Sequence, residues 1–441
     1  MTNDRKPARH VEILLVAALI ALAVAARWAG WREQTGDMNI FMHWYHTLSG
    51  AGRLRGLGTE IGNYNAPFMY LMSVVGFLPG PLILKIKAVF VVADVVLAFF
   101  TYRIAALHRP SGRVPIAAAL VVVLLPTVVL NASFLGQIDA MWAAPALGGV
   151  YYLLRGKPWW GVALCGVSLA IKPQGIFIFP LLLLLALAGR IPWRTLLAAP
   201  VAYVLLDVPA LILGRDPIEL FTVYGLGRQG RIVERLTYDA PSVWAFIPAV
   251  RRLDALRTVG TILAVAVIIG VIYVLIVRML ELTRERIVTV AALFAILVPF
   301  LLPGMHERYF FLADVMTVVL AVYRPRLWFV PVLVQASSLL SYLPYLFGTT
   351  SQRMPPAILA AMMLAALMTV GYVLFRDAFS PLAATPASRP ARPVSPERPV
   401  PWNPPRARRS PASPSGPSDD PPWRNRPEVS AAASTSSRTE S

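Results

Sequence analysis

A single cysteine, Cys165, stands in the chain of 441 residues, so no intrachain disulfide can form. The thiol lies within an apolar run and reads as a small packing residue. Histidine is also scarce, with five scattered copies, which gives no metal cluster of convincing ligand spacing. Acidic residues number 23 against 41 Lys and Arg, and charge of either sign makes up only 15% of a chain that is 57% hydrophobic. With a mean hydropathy of +0.61, so little polarity cannot clothe a water-facing surface, and a soluble globular fold is excluded. There is no solenoid repeat and no duplication of one half in the other.

What the chain has instead is apolar runs near the length of a hydrocarbon core about 30 Å thick. The expected fold is all-α, a transmembrane bundle of about twelve spans near residues 11–28, 84–106, 115–131, 138–154, 158–172, 175–189, 195–213, 255–277, 287–303, 309–323, 327–347 and 356–375. The first run leads into Arg27-Trp28 without a small-residue cleavage pattern and reads as an anchor. Spans 158–172 and 175–189 are short, about 22 Å each from the helical rise, and need local thinning, snorkelling by Lys172 or burial among other helices.

The net charge of +18 is spread as short basic clusters between the apolar runs. That is the positive-inside pattern and not a nucleic-acid surface. Placing every cluster in the cytoplasm demands an even number of spans between neighbours. The stretch 66–82, with Pro67, Pro79, Gly80 and Pro81, is then a re-entrant or interfacial segment on the outer side. Both termini fall in the cytoplasm. Residues 1–376 form the membrane domain with outer loops 29–83 and 214–254, and residues 377–441, rich in Pro, Ser and Arg, form a tail without a core. The tail's Arg406, Arg408 and Arg409 either meet anionic lipid or are simply solvated.

This topology gathers the polar motifs on the outer face. They are Gly36-Asp37, His43-Trp44 and Asn63-Tyr64-Asn65, then Gly136-Gln137-Ile138-Asp139, Lys172-Pro173-Gln174 and His306-Glu307-Arg308. Generic loop polarity does not select such residues, and ionisable groups at a membrane border are costly unless used. Loop 214–254 is charged but shows no comparable constellation. Asn131-Ala132-Ser133 satisfies a glycosylation sequon close to the membrane.

These motifs in this order, together with Asn65-Ala66-Pro67 and Ala93-Asp94, resemble the GT-C membrane glycosyltransferases. They are similar in particular to the branch containing the dolichyl-phosphate-glucose-dependent glucosyltransferases and their bacterial relatives. The resemblance runs from Met1 to about Arg376. Two positions depart from it: Asn65-Ala66-Pro67 stands where the family often has Tyr-Pro-Pro, and Arg308 where Lys is common. The second change keeps the charge and adds bidentate phosphate contacts.

The resemblance implies a sugar carried on polyprenyl phosphate, glucose or mannose, passed with inversion to an acceptor hydroxyl on a glycolipid, a lipid-linked glycan or a cell-wall polymer. Asp37 is the implied catalytic base, and its alternative reading is a helix-capping carboxylate. His306, Arg308 and Lys172 are expected at the donor phosphate, although His306 and Arg308 can also anchor the membrane edge. Gln137, Asp139, Trp44 and Tyr64 are expected at sugar or acceptor, with helix capping equally open to Gln137 and Asp139. Glu307 is expected to orient His306 or Arg308, and Asp94 to act as a structural partner within the bundle. No cofactor and no essential metal is expected, although Asp37 with Glu60 leaves a metal open. A bacterial plasma membrane is the expected location.

Two other classes compete. A lipid or glycan transporter would be a similar bundle, and the intramembrane Asp94, Asp207 and Asp314 favour it, whereas the one-sided motifs and the missing repeat oppose it. A non-catalytic scaffold leaves the ordered motifs unexplained.

Overall fold

The structure is a computed structural model that describes residues 5–225, 235–247, 253–348 and 354–380. The compact unit runs from the N-terminus to Ser380. The expected tail from Pro381 onward, with Arg406, Arg408 and Arg409, lies outside the described residues, as does part of loop 214–254.

The fold is nearly all helical: α1 Arg5–Ala29, α2 Gly36–Gly50, α3 Ala66–Val75, α4 Leu82–His108, α5 Val114–Leu124, α6 Pro126–Val129, α7 Asp139–Leu154 and α8 Pro158–Ile171 lead the order. They are followed by α9 Phe179–Leu187, α10 Ala198–Ile212, α11 Pro217–Thr222, α12 Leu253–Val277, α13 Arg284–Leu301, α14 Phe311–Tyr323, α15 Phe329–Phe347 and α16 Pro356–Phe379. Two short strands, β1 Thr237–Tyr238 and β2 Met305–His306, pair in parallel. Helix starts follow local chemistry. Thr35 and Thr283 cap α2 and α13 through their hydroxyls, and proline opens α8 where its missing N–H costs nothing.

Among the described residues, five helical stretches are long and apolar enough to cross a membrane: Arg9–Ala29, Trp193–Ile212, Asp254–Val277, Pro325–Phe347 and Pro356–Phe379. Val114–Leu124 with Pro126–Leu135 makes a sixth if the bent pair counts as one span. The uninterrupted span expected over 115–131 is therefore broken, with a bend of 50° at Leu125-Pro126. Proline supplies no N–H and pushes the preceding residue out of the helical region. Segment 66–82 contains α3, whose ten residues rise only about 15 Å and cannot cross. The last helix continues to Phe379, past the boundary placed at Arg376.

Burial sorts the helices into layers. Nearly every residue of α7, α13 and α14 is buried, so these helices are wrapped by protein. By contrast α1, α10 and α12 expose large aliphatic side chains such as Leu14, Leu205 and Ile262, an apolar surface that only lipid satisfies. Inside this bundle Arg27 donates to Asp94 Oδ2 from Nε at 3.0 Å and from Nη2 at 2.8 Å, tying α1 to α4. Further along α4, Lys87 Nζ donates to the carbonyls of Gly30, Glu33 and Ser133 at 2.8, 2.5 and 2.6 Å. This lysine holds the entry to α2 against the turn that precedes α7.

Ion pairs define the two ends of the bundle. One end joins the start of α2, the start of α7, the end of α8 and the turn before α14. At the other, Arg103 and Arg155 share the Tyr151 hydroxyl, and Arg324 bridges Glu285 and Asp377.

Candidate active site

At the first end, the sequence places a carboxylate in the first turn of each of two helices, Asp37 in α2 and Asp139 in α7. Asp139 has no exposed surface. Its Oδ1 accepts from Lys172 Nζ at 2.5 Å and from Trp142 Nε1 at 2.9 Å, and its Oδ2 accepts from Asn131 Nδ2 at 2.8 Å. Lys172, 1% exposed, also lies 3.5 Å from Gln137 Oε1 and faces the rings of Tyr64 and Tyr309. Asn131 belongs to a π turn, Leu130–Leu135, that ends at Gly136 in the left-handed region, with φ +68°. Such turns are frequent at functional sites. Because the Asn131 amide is buried and engaged, the sequon has no accessible acceptor.

Arg308 joins the two carboxylates. Its Nη1 donates to Glu307 Oε1 at 2.7 Å, its Nη2 lies 3.5 Å from Asp37 Oδ2, and its Nε lies 4.0 Å from Asp139 Oδ2. Among the described residues Asp37 Oδ2 and Arg308 Nε have no hydrogen-bond partner, so Asp37 keeps an unused acceptor near the guanidinium. Asp37 is the more open, 20% exposed against 7% for the Arg308 side chain. Tyr345 of α15 reaches the backbone at Asp37.

His306 stacks on Tyr238 with ring centres 4.4 Å apart and planes 5° apart, and its Nδ1 lies 3.6 Å from Glu307 Oε2. The β1–β2 pairing sets this stack, aligning Tyr238 with His306. Burial alone would raise the Glu307 carboxyl, but the adjacent Arg308 and His306 hold it below the ordinary glutamate value. Burial works against the Arg308 charge, and Glu307, Asp37 and Asp139 outweigh it and hold the guanidinium more firmly protonated. Burial raises the Tyr64 phenol, against the pull of Arg308. The Tyr64 and Tyr309 rings wall the cluster, facing Lys172.

The wall behind the cluster is aromatic. Trp44 of α2 packs on Tyr64 edge to face at 5.4 Å, and both meet Phe68. A further network fastens it: Asn65 Nδ2 donates to Asp207 Oδ1 at 2.9 Å, and the Tyr224 hydroxyl accepts from Asn65 N–H at 3.1 Å while donating to the Ile171 carbonyl at 2.9 Å. Tyr224 thereby ties the residue after Tyr64 to the residue before Lys172.

The fold thus brings Asp37, Gln137, Asp139, Lys172, Tyr64, His306, Glu307 and Arg308 into one cluster, with Trp44 against its wall. Asp94 stays outside, paired with Arg27 and seven residues along α4 from Lys87, a rise of about 10 Å. Lys172 and Asp139, expected at donor and sugar, meet each other. Trp142, Tyr224, Tyr238 and Tyr309 join without having been singled out, and Asn131, read from the sequence as part of a glycosylation sequon, joins through its bond to Asp139. Of the first four, only Tyr309 carried a signal, its place next to Arg308. Tyr224 and Tyr238 come from the loop that showed no constellation. Among the described residues no three His, Cys, Asp or Glu gather as metal ligands.

An apolar groove of about 550 Å³ lies between α9, α10, α12 and α13, lined by Ile176, Phe179, Leu196, Ala199, Val265 and Leu302. It starts four residues after Lys172 and four before His306.

Helices with exposed apolar faces around a buried charged cluster at one end define a multi-pass membrane protein. Residues 63–303, more than half of the chain, match the profile of glycosyltransferase family 87, and the chain belongs to that family. The protein is therefore a membrane glycosyltransferase. The matched span holds Tyr64, Gln137, Asp139 and Lys172, and ends just before His306. No curated protein matches the chain.

Proposed function

We propose that this glycosyltransferase moves a hexose from a polyprenyl-phosphate sugar to an acceptor hydroxyl, with inversion at the anomeric carbon. One observation carries the reading: Asp37 Oδ2, which accepts no hydrogen bond among the described residues, stands 3.5 Å from the Arg308 guanidinium, a carboxylate base ion-paired with a buried cation. The acceptor hydroxyl gives its proton to Asp37 as its oxygen bonds to the anomeric carbon, and the bond from that carbon to the phosphate oxygen breaks. The departing lipid phosphate gains negative charge, which Arg308 and His306 meet. Asp139 and Glu307 hold Arg308 from two sides, and Lys172 neutralises Asp139. The apolar groove accepts the first isoprene units of the donor.

The same reading takes the twelve helical segments as spans, with the cluster on the outer face of a bacterial plasma membrane and both termini in the cytoplasm. A transporter is the weaker account, because Asp94 pairs with Arg27, Asp207 with Asn65, and Asp314 accepts from Ser338 Oγ at 3.0 Å. Carboxylates that handle cargo would stand open at mid-depth.

The test is transfer by purified protein from a panel of radiolabelled polyprenyl-phosphate hexoses to a lipid extract of its host, with Asp37→Asn alongside. The expected result is transfer by the wild type and a loss of about a thousandfold or more in the variant, which still folds and binds donor. Near-normal turnover by Asp37→Asn removes the proposed base, and donor translocated across liposomes without transfer favours the transporter.

A further inference from the structure

The opposite end of the bundle carries a second polar cavity, about 350 Å³, where the ends of α7 and α9 meet the start of α13. Arg155, Arg190 and Arg284 line it over a floor that includes Leu154, Leu185 and Ile191. The sixteen residues of α7 separate it from Asp139 by about 24 Å, so nothing bound there reaches the transfer site.

The three guanidinium groups differ from their neighbours. Arg286, Arg324 and Arg376 at the same end share Glu281, Glu285 and Asp377, and Arg113 pairs with Glu12. Around the cavity, among the described residues, Arg155 meets the ring and hydroxyl of Tyr151, the latter at 3.2 Å, and Arg284 donates to the Leu107 carbonyl at 3.5 Å. Among the described residues no carboxylate pairs with any of the three. All three are exposed, so solvent screens their mutual repulsion, but three cations lining one pocket still favour an anion there, and arginine forks suit phosphate oxygens.

The surroundings say which phosphate. Trp159, Trp160 and Trp193 follow Arg155 and Arg190 closely in the chain and are 50%, 65% and 55% exposed. Exposed tryptophan on a membrane protein marks the headgroup layer, and Leu187, the last residue of α9, is 47% exposed, an aliphatic surface suited to acyl chains. A pocket at that depth, cationic at its rim and aliphatic at its floor, fits a phosphodiester with a hydrocarbon tail better than a soluble anion. We propose that Arg155, Arg190 and Arg284 form a binding site for the headgroup of an anionic glycerophospholipid, distinct from the donor and acceptor sites.

The experiment titrates the purified full-length protein with short-chain phosphatidylglycerol, phosphatidylcholine of equal chain length, or inorganic phosphate, and reads thermal unfolding. Three proteins are compared: wild type, Arg155→Gln/Arg190→Gln/Arg284→Gln, and a charge-matched control, Arg109→Gln/Arg113→Gln/Arg326→Gln. Phosphatidylglycerol alone is expected to stabilise wild type and control saturably, with an apparent affinity weakened about tenfold or more in the pocket variant. Equal responses in all three proteins, or an equal loss in the control, overturn the proposal in favour of diffuse surface attraction. Inorganic phosphate stabilising as well as the lipid overturns the lipid assignment. Should the triple variant fail to fold, Arg190→Gln alone, read by native mass spectrometry, is expected to retain less phosphatidylglycerol than wild type, and equal retention refutes the site.

Discussion

Replacing Lys172 with methionine separates two accounts of that residue. Methionine preserves the unbranched stem and removes the charge. The Lys172 ammonium is 1% exposed and its partner carboxylate, Asp139, is fully buried, so the substitution strands a charge in the interior. Removing one member of a buried pair costs about 3–5 kcal/mol. Asp139 keeps its bonds from Trp142 and Asn131 and the neighbouring Arg308, which points to the lower end, about 3 kcal/mol. Adding Asp139→Asn removes the stranded charge, and the double variant should regain about 2 kcal/mol. The assay is equilibrium unfolding in mixed lipid and SDS micelles, run beside donor KM. Were Lys172 instead free to hold the donor phosphate, Lys172→Met would raise KM and leave stability nearly unchanged. A loss below about 1 kcal/mol, the range of an exposed pair, with no recovery in the double variant, refutes the pairing.

Three further outcomes follow from the same geometry. Tyr224→Phe leaves the Asn65 N–H and the Ile171 carbonyl without their bridge, at a cost of about 1–3 kcal/mol; kcat should fall more than donor KM rises, and unchanged kcat dismisses the bridge as a positioning device. Gly136→Ala puts a Cβ 2.6 Å from Met38 Sδ at a left-handed φ of +68°, so we expect about 1–2 kcal/mol of destabilisation and a displaced Asp37, read as lower kcat; an unaffected enzyme shows that the turn tolerates a side chain. Glu307 is held below its ordinary value of 4.5, so its contribution is complete above that pH and is lost as pH falls through the lower, folded value. Glu307→Gln should therefore flatten the stability profile below about pH 4.5, and a profile as steep as the wild type's, measured by acid titration of unfolding, counts against the ion pair.

Much of the helix inventory was legible because hydrophobic runs and their breakers act locally. The stretch expected over 255–277 appears as Leu253–Val277, and that over 356–375 as Pro356–Phe379. The bend at Leu125-Pro126 had its signal in Pro126, but a run of apolar residues on both sides made one span look continuous. The candidate site was legible as motifs and not as partners. Lys172 and Asp139 are 33 residues apart, and no local pattern says that a lysine and a carboxylate on different helices will meet. Tyr238 reaches His306 only through a two-residue strand pairing, too short to leave a periodic signal.

Composition and the length of the apolar runs settled the membrane class, because the cost of hiding or exposing a side chain is additive along the chain and hardly depends on its neighbours in space. The same local logic marked Asp37 and the His306-Glu307-Arg308 motif as residues out of place in a membrane border. Which charges neutralise one another was decided only by the tertiary structure. An ion pair depends on a few ångströms of separation and on the water excluded around it, and both come from helices far apart in sequence. Lys172 was therefore bound to Asp139, and Arg308 placed between Asp37 and Glu307, by the packing of α2, α7, α8 and the turn before α14.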